Sequence, residues 1–460
     1  MAVVFTGCKD DLNEVVEEIE LGRLLSPTDV VARIRNQTTI ELSWQLRDNV
    51  NSYVVEFSED SLQFNEIIRT RSVLPEELPI QETFFGDTRY SARVKAISDE
   101  TAESNWTAVT IRTNPEQIFL PLPGQNVQDT YATLVWTPGA EVTNFLIQPG
   151  NIFVPISASE KTAGQAVVQG LNGATTYVAT IYNGTKKRGT VNFSTLKQAN
   201  VTPLDDLGAM IDAAADGATL ILAPGTYALG SKTIAKSITI EGQKSYDMPI
   251  INGQLACATP VSSIYLKYLK FDGQGAYGQF FNASAAACNL SALTVDGCEI
   301  TGFTNNIIYN NSGGTYGDIL VTNSYIHDIP GGGGDGFDIR GGALTSLTVE
   351  NTTITNGIRT MLRMQVPATV AFRNVTFYRT CIVASSNNRG FFRMSGGTGA
   401  IEVSNCLFVE TGINDNGTIR GNWTLAGDIS GGVTTDFADN YYFNVIGLFE
   451  GQFTSPSQVD

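Results

Sequence analysis

The sequence predicts an all-β chain of 460 residues: two small sandwiches, then a right-handed parallel β-helix with a capping helix at its N-terminal end. Three observations carry this. A short phrase of alternating apolar and polar residues, with a turn residue at its corner, recurs from Ser237 to Phe443. Ahead of it, Asp205 to Gly217 has helical spacing, and two stretches of short alternating strands punctuated by Pro and Gly come earlier still. Period-two alternation without a 3.6-residue period is a strand signal, and a fixed phrase repeated many times is a solenoid signal.

The copies of the phrase are SITIEG, LKYLKF, LTVDGCEI, LVTNSYI, LTVENTTI, VAFRNVTF, IEVSNCLF and TDFADNYY. Aligned at the corner they give Gly297, Asn323, Asn351, Asn374, Asn405 and Asp439, separated by 26, 28, 23, 31 and 34 residues. Each rung buries its apolar face only by stacking on neighbours. An Asn at every corner tolerates left-handed backbone and is expected to hydrogen-bond the Asn above and below.

In the first segment, 26–113, the strands are TTIELSW, SYVVEFS, RYSARVKAIS and TAVTIRT. With Trp44 in the second strand, Leu78 before the fifth and Tyr90 opening a later one, it resembles a fibronectin type III domain. The segment 115–196 repeats the plan with Trp136, Leu171 and Tyr177, although its third and fourth strands cannot be placed. Both modules read as spacers. Trp44 and Trp136 are candidate sugar-binding aromatics, but a sandwich buries such a Trp far more often.

The third domain spans 200–460. Asp205 and Asp206 stand where an N-cap belongs, Leu207, Ile211 and Ala214 share one helical face, and Gly217 is expected to end the helix. The strand Thr219 to Ala223 and the turn Pro224-Gly225 follow. This passage resembles the start of pectin-lyase-like β-helices, where a helix caps the open core.

The N-terminal stretch 1–25 contains Phe5-Thr6-Gly7-Cys8, which resembles the lipobox of bacterial lipoproteins and implies lipidation of Cys8. The acidic pair after Lys9 resembles the export signal of Bacteroidetes surface lipoproteins. The segment before Cys8 lacks a basic start and reads as trimmed. The whole chain resembles surface lipoproteins of Bacteroidetes polysaccharide-utilisation systems. That resemblance implies an outer-membrane, cell-surface location, membrane contact only through the lipid, and an outer-membrane glycan transporter complex as a partner. Cys257, Cys288, Cys298, Cys381 and Cys406 read as small buried hydrophobes, with Cys298 and Cys406 in equivalent places.

The formal charge of −17 argues against nucleic acid as a partner. Charge is uneven, however: from Arg340 to Arg420 there are eight Arg and no Lys against Glu350, Glu402, Glu410 and Asp415. Reading each coil beyond its Asn gives a column Asn282, Tyr309, Arg340, Arg363, Arg393 and Arg420. If Ile339, Leu362, Phe392 and Ile419 face the core, the four arginines face out, one per rung, with Arg359 and Arg389 on the same face. Unpaired guanidiniums about 4.8 Å apart repel, so an anion is expected to neutralise them. A polyuronate supplies carboxylates that suit the guanidinium fork. Phe391 and Trp423 would stack on its sugars.

The expectation is therefore a surface protein binding an acidic polysaccharide of pectin or galacturonan type, rather than an enzyme. One alternative is a polysaccharide lyase acting by β-elimination, with Arg340 or Arg363 as base and Ca²⁺ as cofactor. The segment HDIPGGGGDGFDIR would supply Asp328, Asp335 and Asp338 to the ion, near the single His327. Fixed ligand spacing is absent, and so is the Asp constellation of pectin hydrolases. A structural or adhesive surface protein is the third reading.

Overall fold

The computed structural model describes residues 22–330, 334–382, 391–415, 418–420 and 428–445, the segments 413–415 and 418–420 by backbone alone. The chain forms two compact units, Met1–Thr195 and Leu196–Asp460.

The first unit holds two sandwiches with separate cores. In the first, Thr28–Arg35, Thr39–Gln45 and Ile80–Thr83 form one antiparallel sheet, and Arg69–Val73, Ser52–Ser58, Arg89–Ile97 and Thr107–Arg112 form the other. Alternation sends Tyr53, Val55 and Phe57 inward, and Trp44 meets Tyr53 edge-on with ring centres 5.2 Å apart. The Phe85 N–H donates to the Tyr90 hydroxyl at 3.2 Å, the corner expected of a fibronectin type III-like fold. Burial pushes the Tyr90 phenol up to about 12. The second module repeats the corner, with the Asn172 N–H donating to the Tyr177 hydroxyl at 2.9 Å.

The strands that the sequence left unplaced are Asn144–Gln148 and Ile152–Pro155, joined through a Pro149-Gly150 turn. An unanticipated helix, Ala158–Ala163, follows, capped reciprocally by Ser157 and Glu160. Trp44 and Trp136 are both buried, which removes them as sugar-binding surfaces.

The second unit starts with the helix Leu207–Ala213. Asp206 accepts the Ala209 N–H at 3.0 Å, and Asp205 closes the preceding turn on Thr202. Leu207 and Ile211 plug the end of the solenoid core. The helix ends earlier than Gly217 suggested: Ala214 turns extended, and the Lys236 ammonium caps the carbonyls of Asp212 and Ala214 at 2.7 and 2.6 Å.

Beyond it, each coil of the parallel β-helix lays one strand on each of three faces. Face one is a nine-stranded parallel sheet running from Ala218–Leu222 to Gly432–Ala438. Faces two and three share long strands in the first coils and then separate. In the coil of Asn351, for example, faces one, two and three are Ala343–Glu350, Thr353–Gly357 and Leu362–Met364. One continuous apolar core fills the interior from Val201 to Tyr442.

The corner between faces one and two is the anticipated ladder. Gly297, Asn323, Asn351, Asn374, Asn405 and Asp439 all adopt positive φ, between 48° and 63°, and Tyr268 begins the column at 52°. Side-chain stacking is only partial, with Asn374 Nδ2 donating to Asn351 Oδ1 at 3.2 Å and Asn323 turning to Asp296. Continuity comes from the backbone. Each corner N–H from Tyr268 to Asn405 donates to the carbonyl just before the corner of the next coil, at 3.0 to 3.3 Å.

A second left-handed column, at the end of face two, escaped the sequence reading: Gly302, Asp328, Asn356, Arg379, Glu410 and Asn444, with φ from 49° to 72°. Its residue types share nothing that a pattern search detects.

Cys257 and Cys288 form a disulfide that joins adjacent coils, so these two are not merely small hydrophobes. The coil period brings residues 31 apart in sequence to a Cα separation of 5.5 Å. Cys298, Cys381 and Cys406 are buried thiols, and burial pushes Cys298 and Cys406 up to about 12.

Gly342 shows how tightly coils stack, since a Cβ there would lie 1.8 Å from the Gly314 carbonyl oxygen at a φ of +74°. Gly275 has a similar φ of +66° and open space. Gly342→Ala is expected to cost more than about 3 kcal/mol in denaturant titration, and Gly275→Ala about 1 kcal/mol. Equal losses would refute backbone stacking as the constraint.

Candidate functional site

Faces two and three are joined by connections of uneven length: 273–278, 302–305, 330–336, 358–361, 381–391 and 410–428. The connection 330–336 carries Asp335 to the corner and the connection 358–361 carries Arg359. Face three then presents Phe337–Ile339, Leu362–Met364 and Phe392–Met394, each with its middle residue pointing away from the core.

The pairing register revises the arginine column. Tyr309 pairs with Asp338, Asp338 with Arg363, and Arg363 with Arg393. Arg340 lies two residues beyond its expected place because Phe337, not Ile339, is level with Leu362. Arg420 is not the fourth rung, since Thr418–Arg420 pairs antiparallel with Ile413–Asp415 in a separate hairpin. The next position above Arg393 belongs to Asp428, because Met394 bridges to Ile429. The stack therefore reads Asp338, Arg363, Arg393, Asp428, with acids at both ends.

Charge balance follows. Arg359 Nε donates to Asp335 Oδ1 at 2.8 Å, and Arg363 lies 3.6 Å from Asp335 Oδ2. Arg340 Nε is 2.9 Å from Asp338 Oδ1, and Arg393 Nε is 3.6 Å from Asp428 Oδ1. Arg340 also donates to the Tyr309 hydroxyl at 3.0 Å, its guanidinium 5.3 Å from the ring centre. Four guanidiniums thus meet three carboxylates, and the repulsion expected of a bare column does not arise. Asp335 and Asp338 are 0% and 1% exposed, whereas the Arg340 and Arg393 side chains each keep 28% of their surface open. The acids lie beneath and the outer arginines face solvent.

Several sequence candidates fall elsewhere. Phe391 is fully buried against Phe377, Phe392 and Phe408, so it cannot stack on a sugar. Asp328 is on face two beside His327, whose Nδ1 lies 2.7 Å from its carboxylate and whose Nε2 lies 3.1 Å from Glu299. Asp328 therefore does not join Asp335 and Asp338, which are engaged by arginines. Among the described residues no group of three or more His, Cys, Asp or Glu side chains could hold a metal ion. Cys8, Arg389 and Trp423 lie outside the described residues.

The sequence reading missed Asp428. Its signal was the dipeptide Asp428-Ile429, which repeats Asp338-Ile339, an outward acid followed by an inward Ile.

Burial pushes the Asp338 carboxyl up to about 6; neighbouring Arg340 opposes the shift and Asp335 adds to it. A raised carboxyl binds its proton more tightly in the folded chain, so its contribution to stability is complete below about pH 4 and is lost as pH rises through 6. Relative to Asp338→Asn, the parent chain should lose on the order of 2 kcal/mol between pH 4 and 7. Chemical denaturation across that range measures it, and parallel profiles would disprove the assignment.

Residues 225–357 match a domain family described as a domain of unknown function, DUF4957, which takes in the first coils of the solenoid. No curated protein matches the chain. Among solved structures, a two fibronectin type III domain segment from chicken tenascin is 15% identical, covers 36% of this chain and 97% of its own, and gives a TM-score of 0.26. The FN1–FN3 domains of chicken CNTN1 are 16% identical, with coverage of 38% and 68% and a TM-score of 0.17. An fn3 domain of human contactin 1 is 18% identical, with coverage of 22% and 83% and a TM-score of 0.18.

Proposed function

We propose that the chain binds an acidic polysaccharide of galacturonan type at the arginine corner, displayed from the bacterial outer surface by a lipid on Cys8. The lipoprotein reading rests on the Cys8 motif, and the Bacteroidetes and polysaccharide-utilisation setting on the sequence resemblance. One observation carries the binding site: Arg340 and Arg393 stand partly open on face three while buried Asp338 and Asp428 hold them from behind. A guanidinium fixed by a buried carboxylate loses little side-chain entropy on meeting a ligand, and its remaining N–H groups can fork onto a uronate. Arg340 and Arg393 stand two rungs apart, about 10 Å along the axis, so that they would meet separate carboxylates of one polymer.

The lyase alternative is weaker. Arg340 and Arg363 each lie against a buried carboxylate, Asp338 and Asp335, at 2.9 and 3.6 Å, which occupies the guanidinium that would have to serve as base. Elimination would also create unsaturated ends that absorb in the ultraviolet.

Native gels cast with polygalacturonate provide the test. The parent chain is expected to be retarded, less so as salt rises, and without clearing of the polymer. Arg340→Gln with Arg393→Gln should weaken retardation about tenfold. Because Arg393→Gln leaves Asp428 without its guanidinium, Arg393→Gln with Asp428→Asn serves as a balanced second variant. An unretarded parent chain, or retention unchanged in both variants, would sink the proposal.

A further inference from the structure

Face two carries a second surface that the arginine corner does not use. Its inward residues, Ile326, Ile354, Phe377, Phe408 and Tyr442, belong to the core. Its outward residues form two columns in strict register. One runs Tyr325, Thr353, Thr376, Leu407, Tyr441, and the other His327, Thr355, Tyr378, Val409, Phe443. Aromatic rings therefore recur on every second rung, at Tyr325, Tyr378 and the Tyr441–Phe443 pair, about 10 Å apart along the axis.

These rings are open to solvent. Tyr378 is 37% exposed, Tyr441 52% and Phe443 59%, on strands whose opposite side is fully packed. Tyr325 is fixed in place, stacked on His327 with ring centres 4.3 Å apart and its hydroxyl 3.2 Å from Thr355 Oγ1. Over these five rungs neither column contains Lys, Arg, Asp or Glu. Below these rungs the first column continues into charge, with Glu299 level with Tyr325 and Lys270 level with Glu299, and at the margin the second left-handed column places Asp328, Arg379 and Glu410.

We propose that this face is a binding track for a neutral, extended polysaccharide of β-1,4-linked pyranose units lying along the solenoid axis. Such rings have flat faces of axial C–H groups that pack on aromatic surfaces, and a rim of hydroxyls. Alternate rings of the polymer would meet the aromatic rungs, with the Thr353 and Thr355 hydroxyls between the first two of these rungs and the apolar Leu407 and Val409 between the last two. The absence of charge disfavours a polyuronate here, because a carboxylate would lose hydration and gain no cation. The periodic array stands on strands packed from behind and so costs little ordering on binding. The track is independent of the arginine corner, which lies on another face.

The full chain should be run in native gels containing hydroxyethylcellulose, xylan or polygalacturonate. Retardation by at least one of the two neutral polymers is expected, insensitive to salt. Tyr378→Ala with Phe443→Ala, both exposed, should reduce it at least tenfold while leaving polygalacturonate retardation intact. Arg340→Gln with Arg393→Gln should do the reverse, so failure of either site is seen separately. Retardation by neither neutral polymer, or retardation unaffected in Tyr378→Ala with Phe443→Ala, overturns the track. Concentration-dependent dimerisation in light scattering, abolished by the same two substitutions, would assign the face to a second copy of the chain and also overturn it.

Discussion

Everything in the solenoid depends on one repeated backbone event: at each corner between faces one and two, a residue turns left-handed and gives its N–H to the coil above. This closes the turn and joins successive coils in one bond. Because side chains alternate with a period of two, a slip of one residue at any corner would exchange core and surface along the whole strand. The corner fixes where face two begins, and the core side chains then fix face three. Asn is frequent there because it tolerates the left-handed region, but Tyr268 and Gly297 show that the backbone bond, and not an amide ladder, is what the column conserves.

The charge arrangement on face three follows from this register and from nothing local. Asp338, Arg363, Arg393 and Asp428 lie far apart in sequence and become neighbours because coils of different length end level. Like charges in the middle of the stack are flanked by opposite charges, and the connecting loops add Asp335 and Arg359 from the side. Buried carboxylates of this kind cost desolvation, which the guanidiniums offset, and removing either partner leaves an expensive residue. The raised Asp338 carboxyl is where that compensation is least complete.

How much of this was legible in the sequence divides along physical lines. The coil phrase, the first corner column and the capping helix were readable, because period-two alternation, a left-handed turn and helical spacing each demand particular residue types. The second left-handed column was not, because Arg379 and Glu410 occupy it as readily as Asn356 does. Arg340 was misplaced for a related reason. In Phe337-Asp338-Ile339-Arg340 two apolar residues can each be taken as the inward one level with Leu362, and only the length of the preceding loop decides between them. Arg420 followed the local phrase but sits in a hairpin, since antiparallel pairing over Ile413–Arg420 satisfies the same alternation.

The disulfide between Cys257 and Cys288 has a mechanical consequence. A solenoid pulled from one end peels coil by coil, since each coil is held mainly by its neighbour. Tension from the N-terminal side would free the capping helix and the first coils and then reach Cys257. There the covalent bridge carries the load past the intervening chain, which at a separation of 31 residues withholds about 110 Å of extension. The bridge thus acts as a mechanical stop near the loaded end, passing force directly to the coil that begins after Cys288 and shielding one full turn from unravelling.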